Sequence, residues 1–467
     1  MSRFFISAAH KSSGKTTLSI GLCAALRARG LQVQSFKKGP DYIDPMWLAL
    51  ASGHPCYNLD FYQMDRDEIT ELYQQHSTRA EVIVVEGNKG LYDGLDLEGT
   101  NSNAALAAML NIPVILVLDA RGVTRGVAPL ILGYQAFDRN IRIQGVILNQ
   151  MGGSRHESKL RAVIEHYTDV PVLGAVQHDA ELQIVERHLG LMPSNESAAA
   201  ERKIHAIAER IAAQVDLDRL LQVTAAPNVP SRGLSVAPVA STKSCYRIGL
   251  VRDRAFGFYY ADDLDALEAG GAELIPINVL DEAHLPLLDG LIIGGGFPEL
   301  FLAELEANVS MRQDIQSAIE NGLPVYAECG GLMYLSRTLR WKDRAHQMVG
   351  IIPGDVVMHD KPVGRGYVRL RETGLSPWPG AVPSTDDICA HEFHYSSLEN
   401  VGPDMQYAYQ VVRGHGLDGQ HDGIVYRNLL ASYTHLRHTK NFKWVTRFLA
   451  LVAQHHFSRM PVKEAVA

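Results

Sequence analysis

Phe4-Phe-Ile-Ser-Ala-Ala9-His-Lys-Ser-Ser-Gly14-Lys15-Thr16-Thr17 joins a short apolar run to a glycine-lysine pair and then to a helical pattern. Strand, loop and helix in that order are the setting in which a glycine-containing loop holds phosphate. Backbone N–H groups and the helix N-terminus face the oxygens, Lys15 reaches the terminal phosphates, and the Thr16 hydroxyl ligates a metal ion. Gly14, Lys15, Thr16 and Thr17 are therefore candidate nucleotide-binding residues, with Thr16 also a metal ligand. The first glycine of the usual pattern is replaced by Ala9, which leaves Gly14-Lys15-Thr16 as the core of the motif.

Outward from this loop the pattern repeats. Apolar runs rich in β-branched residues (Phe4–Ala8, Val33–Phe36, Val82–Val85, Val114–Leu118, Gly145–Leu148, Val172–Val176) alternate with helical spacing, as in Thr16–Arg29, where Leu18, Leu22, Ala25 and Leu26 share a face. Strands alternating with helices predict a doubly wound parallel sheet covered on both faces. Residues 225–245 are rich in Pro, Ser and Ala without periodicity and read as a linker between a domain at 1–224 and one at 246–460. Beyond the linker, strand patterns restart at Arg247–Val251, Leu274–Ile277, Gly290–Ile293 and Pro324–Ala327, so the second half also reads as α/β.

The bulk properties agree with two globular domains. A chain of 467 residues exceeds what one core usually organises. Lys plus Arg number 44 against 52 Asp plus Glu, a formal charge of −8, without the basic surplus that nucleic-acid binding needs. Five widely spaced cysteines, with no CxxC pair, fit a reducing cytoplasm. The N-terminal apolar stretch is too short for a signal peptide, and no run approaches a membrane span, so neither export nor membrane embedding is expected.

A metal-dependent phosphate site needs acidic partners. Glu86 follows the apolar strand Val82–Val85, which places it at the C-terminal edge of the sheet, where open α/β folds bind ligands. Asp41 and Asp44 in Gly39-Pro-Asp-Tyr-Ile-Asp-Pro45, and Asp93 in Gly90-Leu-Tyr-Asp-Gly94, also follow strands. All four are expected to converge on the phosphate end of the nucleotide, with Glu86 a candidate for the metal.

A second reactive centre is legible in Gly322-Leu-Pro-Val-Tyr-Ala-Glu328-Cys329-Gly-Gly-Leu-Met-Tyr-Leu335: strand, sharp turn, helix. Such a corner exposes a side chain and aims N–H groups at an oxyanion, which makes Cys329 a candidate nucleophile rather than a buried structural thiol. Its base lies in one of two groups, His391-Glu-Phe-His394 or Ser432-Tyr-Thr-His435-Leu-Arg-His438, between which the pattern does not choose. Gly294-Gly-Gly-Phe-Pro-Glu299 follows another buried strand and can add a second oxyanion donor.

Together these motifs resemble the cobyrinic acid a,c-diamide synthases, which amidate two carboxylates of a corrin precursor. The resemblance spans nearly the whole chain through Lys38–Asp44, Glu86–Gly94, Gly145–Asn149, Arg187–Leu191, Gly294–Glu299, Glu328–Tyr334, His391–Ser396 and Ser432–His435. It implies an N-terminal synthetase domain that uses Mg²⁺ and ATP to make an acyl phosphate. It also implies a C-terminal class I glutamine amidotransferase-like domain that releases ammonia from glutamine. Cys329 would be nucleophile and His435 its base; Asp41 and Glu86 would be the metal-side carboxylates, Asp44 and Asp93 would assist the substrate or intermediate, and Asn149 matches the position that reads adenine. Related triad glutaminases carry Glu two residues after the histidine, where this chain has Arg437, so either another group orients His435 or the pair works alone. The same scaffold is known with cobyrinate, hydrogenobyrinate, nickel sirohydrochlorin and sirohaem. Lys37–Trp47 with Glu86–Lys89 leans slightly to the sirohaem branch, and Lys37, Lys38 and Lys89 read either as contacts for substrate carboxylates or as solvated lysines. A tetrapyrrole acid and glutamine are the expected small-molecule partners, and a homodimer is the expected assembly. The rival reading is a partitioning-type ATPase switch, but those proteins usually carry a second lysine where this chain has His10.

Overall fold

A computed structural model describes residues 1–180, 184, 186–187, 190–196, 199–226 and 245–459. The chain divides into two compact units, Met1–Val236 and Ala237–Ala467. The expected linker lies, apart from its ends, outside the described residues, as do His188 and Leu189 of the 187–191 motif.

The first unit is built on seven strands, β1 (Ser2–Ala8), β2 (Val33–Lys38), β3 (Tyr57–Leu59), β4 (Val82–Gly90), β5 (Val114–Asp119), β6 (Ile143–Met151) and β7 (Val172–Gln177). They pair in the order β3-β2-β4-β1-β5-β6-β7, and every pairing is parallel. The apolar run of β5 is buried from Val114 to Leu118, as a strand covered on both faces must be. The helix after β1, α1 (Lys15–Ala28), packs on α2 (Ile43–Ser52) and on the helix Ala200–Gln214. That second approach is close enough that a Cβ at Gly21 would come within 2.4 Å of Ile211. The doubly wound reading therefore holds, and the crossovers leave the C-terminal ends of β1, β2 and β4 side by side.

Two local expectations change. β4 runs on to Gly90, so Glu86 lies inside a strand and not in a loop; the parallel register sets it opposite Lys37, also in-strand, which supplies the counter-charge burial demands. Asp44 lies in the first turn of α2, where a carboxylate favours the helix N-terminus.

The second unit holds a nine-stranded sheet. Strands Ala272–Ile277, Tyr246–Val251, Gly290–Ile293, Val325–Glu328 and Leu429–Ser432 are parallel neighbours in that order. Antiparallel strands His421–Tyr426, Gln406–Arg413, Gly364–Glu372 and Ile388–His394 extend the sheet beyond them. Side chains alternate strictly: Leu291, Ile293, Val325, Ala327, Leu429 and Ala431 enter one core, whereas Ile292, Tyr326 and Leu430 enter the other. This sheet is mixed, where the sequence showed only its parallel part. No helix among the described residues is long and apolar enough to cross a membrane.

Candidate active sites

In the first unit, the loop after β1 turns through Ser12 and Gly14 at positive φ (56° and 79°) to start α1. A Cβ at Gly14 would meet Asn149 Nδ2 at 2.2 Å, because that amide donates to Ser13 O at 2.8 Å and braces the loop from the end of β6. Lys15 is buried, and burial pulls its pKa down despite nearby Glu86. Thr17 is half-buried on the same first turn.

The Thr16 hydroxyl lies 2.9 Å from Glu86 Oε1 and 3.2 Å from Asp44 Oδ2. Between the same oxygens sits the Lys37 ammonium, 2.6 Å from Glu86 and 2.5 Å from Asp44, with Asp41 Oδ2 at 3.8 Å. Asp41, Asp44 and Glu86 thus converge on Lys37 beside Thr16, although 45 residues separate the first and last of them. Burial alone would neutralise Lys37, but Asp44, Glu86 and Asp41 push its pKa well up, so the ammonium stays charged. Asp41 absorbs the surplus negative charge: burial and then Asp44 push its carboxyl up to about 7. Its Oδ1 meanwhile accepts from the N–H groups of Ile43 and Asp44 and starts α2.

Asp93 makes none of the contacts around Lys37 but lies within electrostatic reach of Lys15. It is exposed, and its Oδ2 accepts from Gly90 N at 3.0 Å. Lys37 is neither a solvated lysine nor a free contact for substrate. Lys38 is buried beside Asn88, and burial lowers its pKa to about 8. Among the described residues no group of three or more His, Cys, Asp or Glu is arranged to hold a metal by itself. The hard oxygens of Thr16, Asp41 and Glu86, with Asp44 adjoining, nevertheless fit Mg²⁺, which takes one or two carboxylates and completes its shell with phosphate and water.

In the second unit, Cys329 has φ 47° and ψ −99°, a strained corner between the strand Val325–Glu328 and the helix Gly330–Leu335. Close packing holds it there. A Cβ at Gly331 would sit 2.1 Å from Ile293 O, and one at Gly330 would sit 3.0 Å from Gly296 N. The Gly294–Gly296 segment therefore lies against the start of the nucleophile's helix, and a Cβ at Gly295 would be 2.9 Å from His435 Cε1.

The two histidine groups left open by the sequence meet here. The backbones of His391 and His435 form a bridge, and their rings stack at 4.9 Å and 17°. The His435 imidazole hydrogen-bonds the Cys329 side chain, and its Nδ1 is 3.3 Å from Glu328 Oε2. Burial acts to lower its pKa, but the bonds to Cys329 and Glu328 raise it to about 10. Buried His391, by contrast, is pushed well down by burial and by the neighbouring His435 and Arg437. His435 is thus the histidine poised to hold a proton beside the thiol, and Glu328 is its acidic neighbour, which the motif contained without revealing the contact.

Further buried carboxylates position the loop that carries His435. Asp422 accepts from Tyr433 N (3.1 Å), Thr434 N (2.9 Å) and Gly423 N (2.8 Å), and Asp263 accepts from His438 N (2.8 Å). Asp422→Ala would leave the Asp422-bound N–H groups without that acceptor, which costs at least about 2 kcal/mol. Thermal unfolding should show a midpoint lower by at least about 4 °C, with glutamine hydrolysis impaired. An unchanged midpoint would mean that the loop is held by other contacts.

Comparison with known proteins agrees with this division. Residues 247–443 match the CobB/CobQ-like glutamine amidotransferase domain, and residues 41–185 match an AAA domain. A cobyrinate a,c-diamide synthase of Magnetococcus marinus is 47% identical over 440 residues, covering 93% of each chain. Those of Methanosarcina acetivorans and Dehalococcoides mccartyi are 41% identical over 461 residues and 40% identical over 447 residues. They cover 93% and 94% of this chain and 92% and 96% of their own lengths. Similarity over the full sweep of both units, with the Cys329–His435 pair intact, removes the support for an ATPase switch.

Proposed function

The chain belongs to the cobyrinate a,c-diamide synthase family, and we propose that its two units divide a glutamine- and ATP-dependent amidation of the a- and c-carboxylates of a corrin-type acid. The observation that carries this reading is the pairing of a braced phosphate loop in one unit with a strained Cys329 hydrogen-bonded to His435 in the other. Residues 1–224 are assigned to synthesis and 246–460 to glutamine hydrolysis.

In the synthetase unit, the substrate carboxylate attacks the γ-phosphorus of ATP, giving an acyl phosphate and ADP. Gly14 and the first turn of α1 cradle the phosphates, and Lys15 offsets charge on the transferring group. Thr16, Asp41 and Glu86 would hold Mg²⁺, with Asp44 and Lys37 adjoining; the ion would neutralise phosphate charge. Asn149 already donates one amide hydrogen to the loop, and its remaining hydrogen and carbonyl are the groups proposed to read adenine. Asp44 and Asp93 are assigned to the substrate or the acyl phosphate intermediate. A cavity of about 600 Å³ lined by Phe61, Tyr62, Arg66 and Leu95 offers aromatic faces and a guanidinium to an acidic macrocycle, and Leu95 follows Asp93 by two residues.

In the glutaminase unit, the Cys329 thiolate attacks the amide carbon of glutamine, and the His435 imidazolium protonates the departing nitrogen. Water, deprotonated by His435, then cleaves the thioester to glutamate. Ammonia attacks the acyl phosphate and expels phosphate, and a second round completes the diamide. We also assign a homodimer, and a cytoplasmic setting in keeping with the five widely spaced cysteines.

Incubation with ATP, Mg²⁺ and glutamine against a panel of tetrapyrrole acids, followed by mass spectrometry, tests the substrate. Cobyrinate or hydrogenobyrinate should fall by about 1 Da at each of two carboxylates, the change from hydroxyl to amino. Turnover of sirohaem or nickel sirohydrochlorin in their place would move the enzyme to another branch.

A further inference from the structure

Glu328 and Cys329 are adjacent in sequence, and the turn between them separates their tasks. The Glu328 carboxylate is almost fully buried, with each oxygen engaged. Oε1 accepts from Leu436 N at 2.9 Å and from the Tyr326 hydroxyl, which fixes the carboxylate between its own strand and the residue after His435. Oε2 faces His435 Nδ1 at 3.3 Å. Where related triad enzymes carry their glutamate, two residues after the histidine, Arg437 is turned away. Its guanidinium meets Asp262 at 2.9 Å and lies 4.7 Å over the Tyr260 ring. An arginine has no acceptor to offer an imidazole N–H.

We propose that Glu328 is the positioning residue of His435, taking over from the neighbouring strand the task that position 437 cannot perform. By accepting from Nδ1–H it fixes the tautomer that turns Nε2 to the thiol, and its charge stabilises the imidazolium formed when the thiol proton is taken. The other titratable groups around His435 are neutral or already paired. His391 stacks on it with a depressed pKa, Tyr326 donates to Glu328, and Arg437 is bound to Asp262. One strand thereby carries both the nucleophile and the group that orients its base, so their spacing is set by a single peptide bond. This inference rests on the glutaminase reading above.

Glu328→Gln in the full chain keeps the shape and one acceptor while removing the charge. Glutamine hydrolysis should lose at least about 10²-fold in kcat with little change in KM. The pH midpoint for alkylation of Cys329 by iodoacetamide, read as modified Cys329 peptide by mass spectrometry, should rise by about one unit or more, since less imidazolium faces the thiolate. Glu328→Asp should recover part of both. A Glu328→Gln protein with the wild-type kcat and alkylation profile overturns the proposal. Should that variant fail to fold, Tyr326→Phe decides: it removes a support of Glu328 without touching His435. Tyr326→Phe should move kcat and the alkylation midpoint in the same directions by less, and no movement overturns the proposal. Failure of the wild-type protein to release glutamate would instead refute the glutaminase reading itself.

Discussion

Cys329→Ala is expected to abolish glutamine-driven amidation, by at least about 10³-fold, while amidation from added ammonium salt continues. The asymmetry follows from what the thiol touches. Cys329 sits at a strained corner, hydrogen-bonded to His435, and the strain is tolerated because Gly330 and Gly331 let the following helix press onto the Ile293–Gly296 backbone. That arrangement breaks an amide; it takes no part in phosphoryl transfer. Ammonia supplied from solution enters the sequence after the step that Cys329 performs, so the synthetase still finds its second substrate. Product formation by Cys329→Ala should rise with pH as ammonium gives way to ammonia, whereas glutamine should add nothing. Full glutamine-dependent turnover by the variant would return Cys329 to the structural cysteines and end the two-reaction reading.

Why some of this was legible and some was not has a physical basis. The phosphate loop and the nucleophile corner are local: strand, turn residues and helix lie within about a dozen positions, and each carries its own signature. The parallel strands were legible because burial on both faces leaves continuous apolar runs such as Val82–Val85. The antiparallel extension was not. Ile388–His394, the last strand of the sheet, spends three positions on His391, Glu392 and His394, all buried, so a strand packed into the fold reads as polar. Lys37 and Glu328 were hidden for a different reason, since their partners arrive from far along the chain. Glu86 lies 49 residues from Lys37, and His435 lies 107 from Glu328. A lysine at a strand end is ordinarily solvated. Only the parallel register, which sets Lys37 opposite Glu86, makes it a buried cation among carboxylates.

Lys15→Ala should remove synthesis with either nitrogen source, by about 10²-fold or more, and leave basal glutamine hydrolysis in place. The two lysines of this site are not equivalent. Lys37 is committed to Asp44 and Glu86 and compensates the carboxylates that surround Thr16. Lys15, on the first turn of α1, feels Glu86 and Asp44 more weakly than the pull of burial, so the protein leaves its ammonium under-compensated and an incoming anion would complete the compensation. Phosphoryl transfer rests on positioning and charge, because the γ-phosphoryl carries its negative charge through the transition state. Lys37 cannot substitute for Lys15 without stranding two buried carboxylates, which carries a cost of several kcal/mol. Glutamate release by Lys15→Ala, measured without ATP, should match wild type, since Cys329, His435 and Glu328 belong to the other unit. Normal ammonia-dependent synthesis by this variant would show that the phosphate loop is not the activating site, however closely Thr16, Glu86 and Asp44 converge.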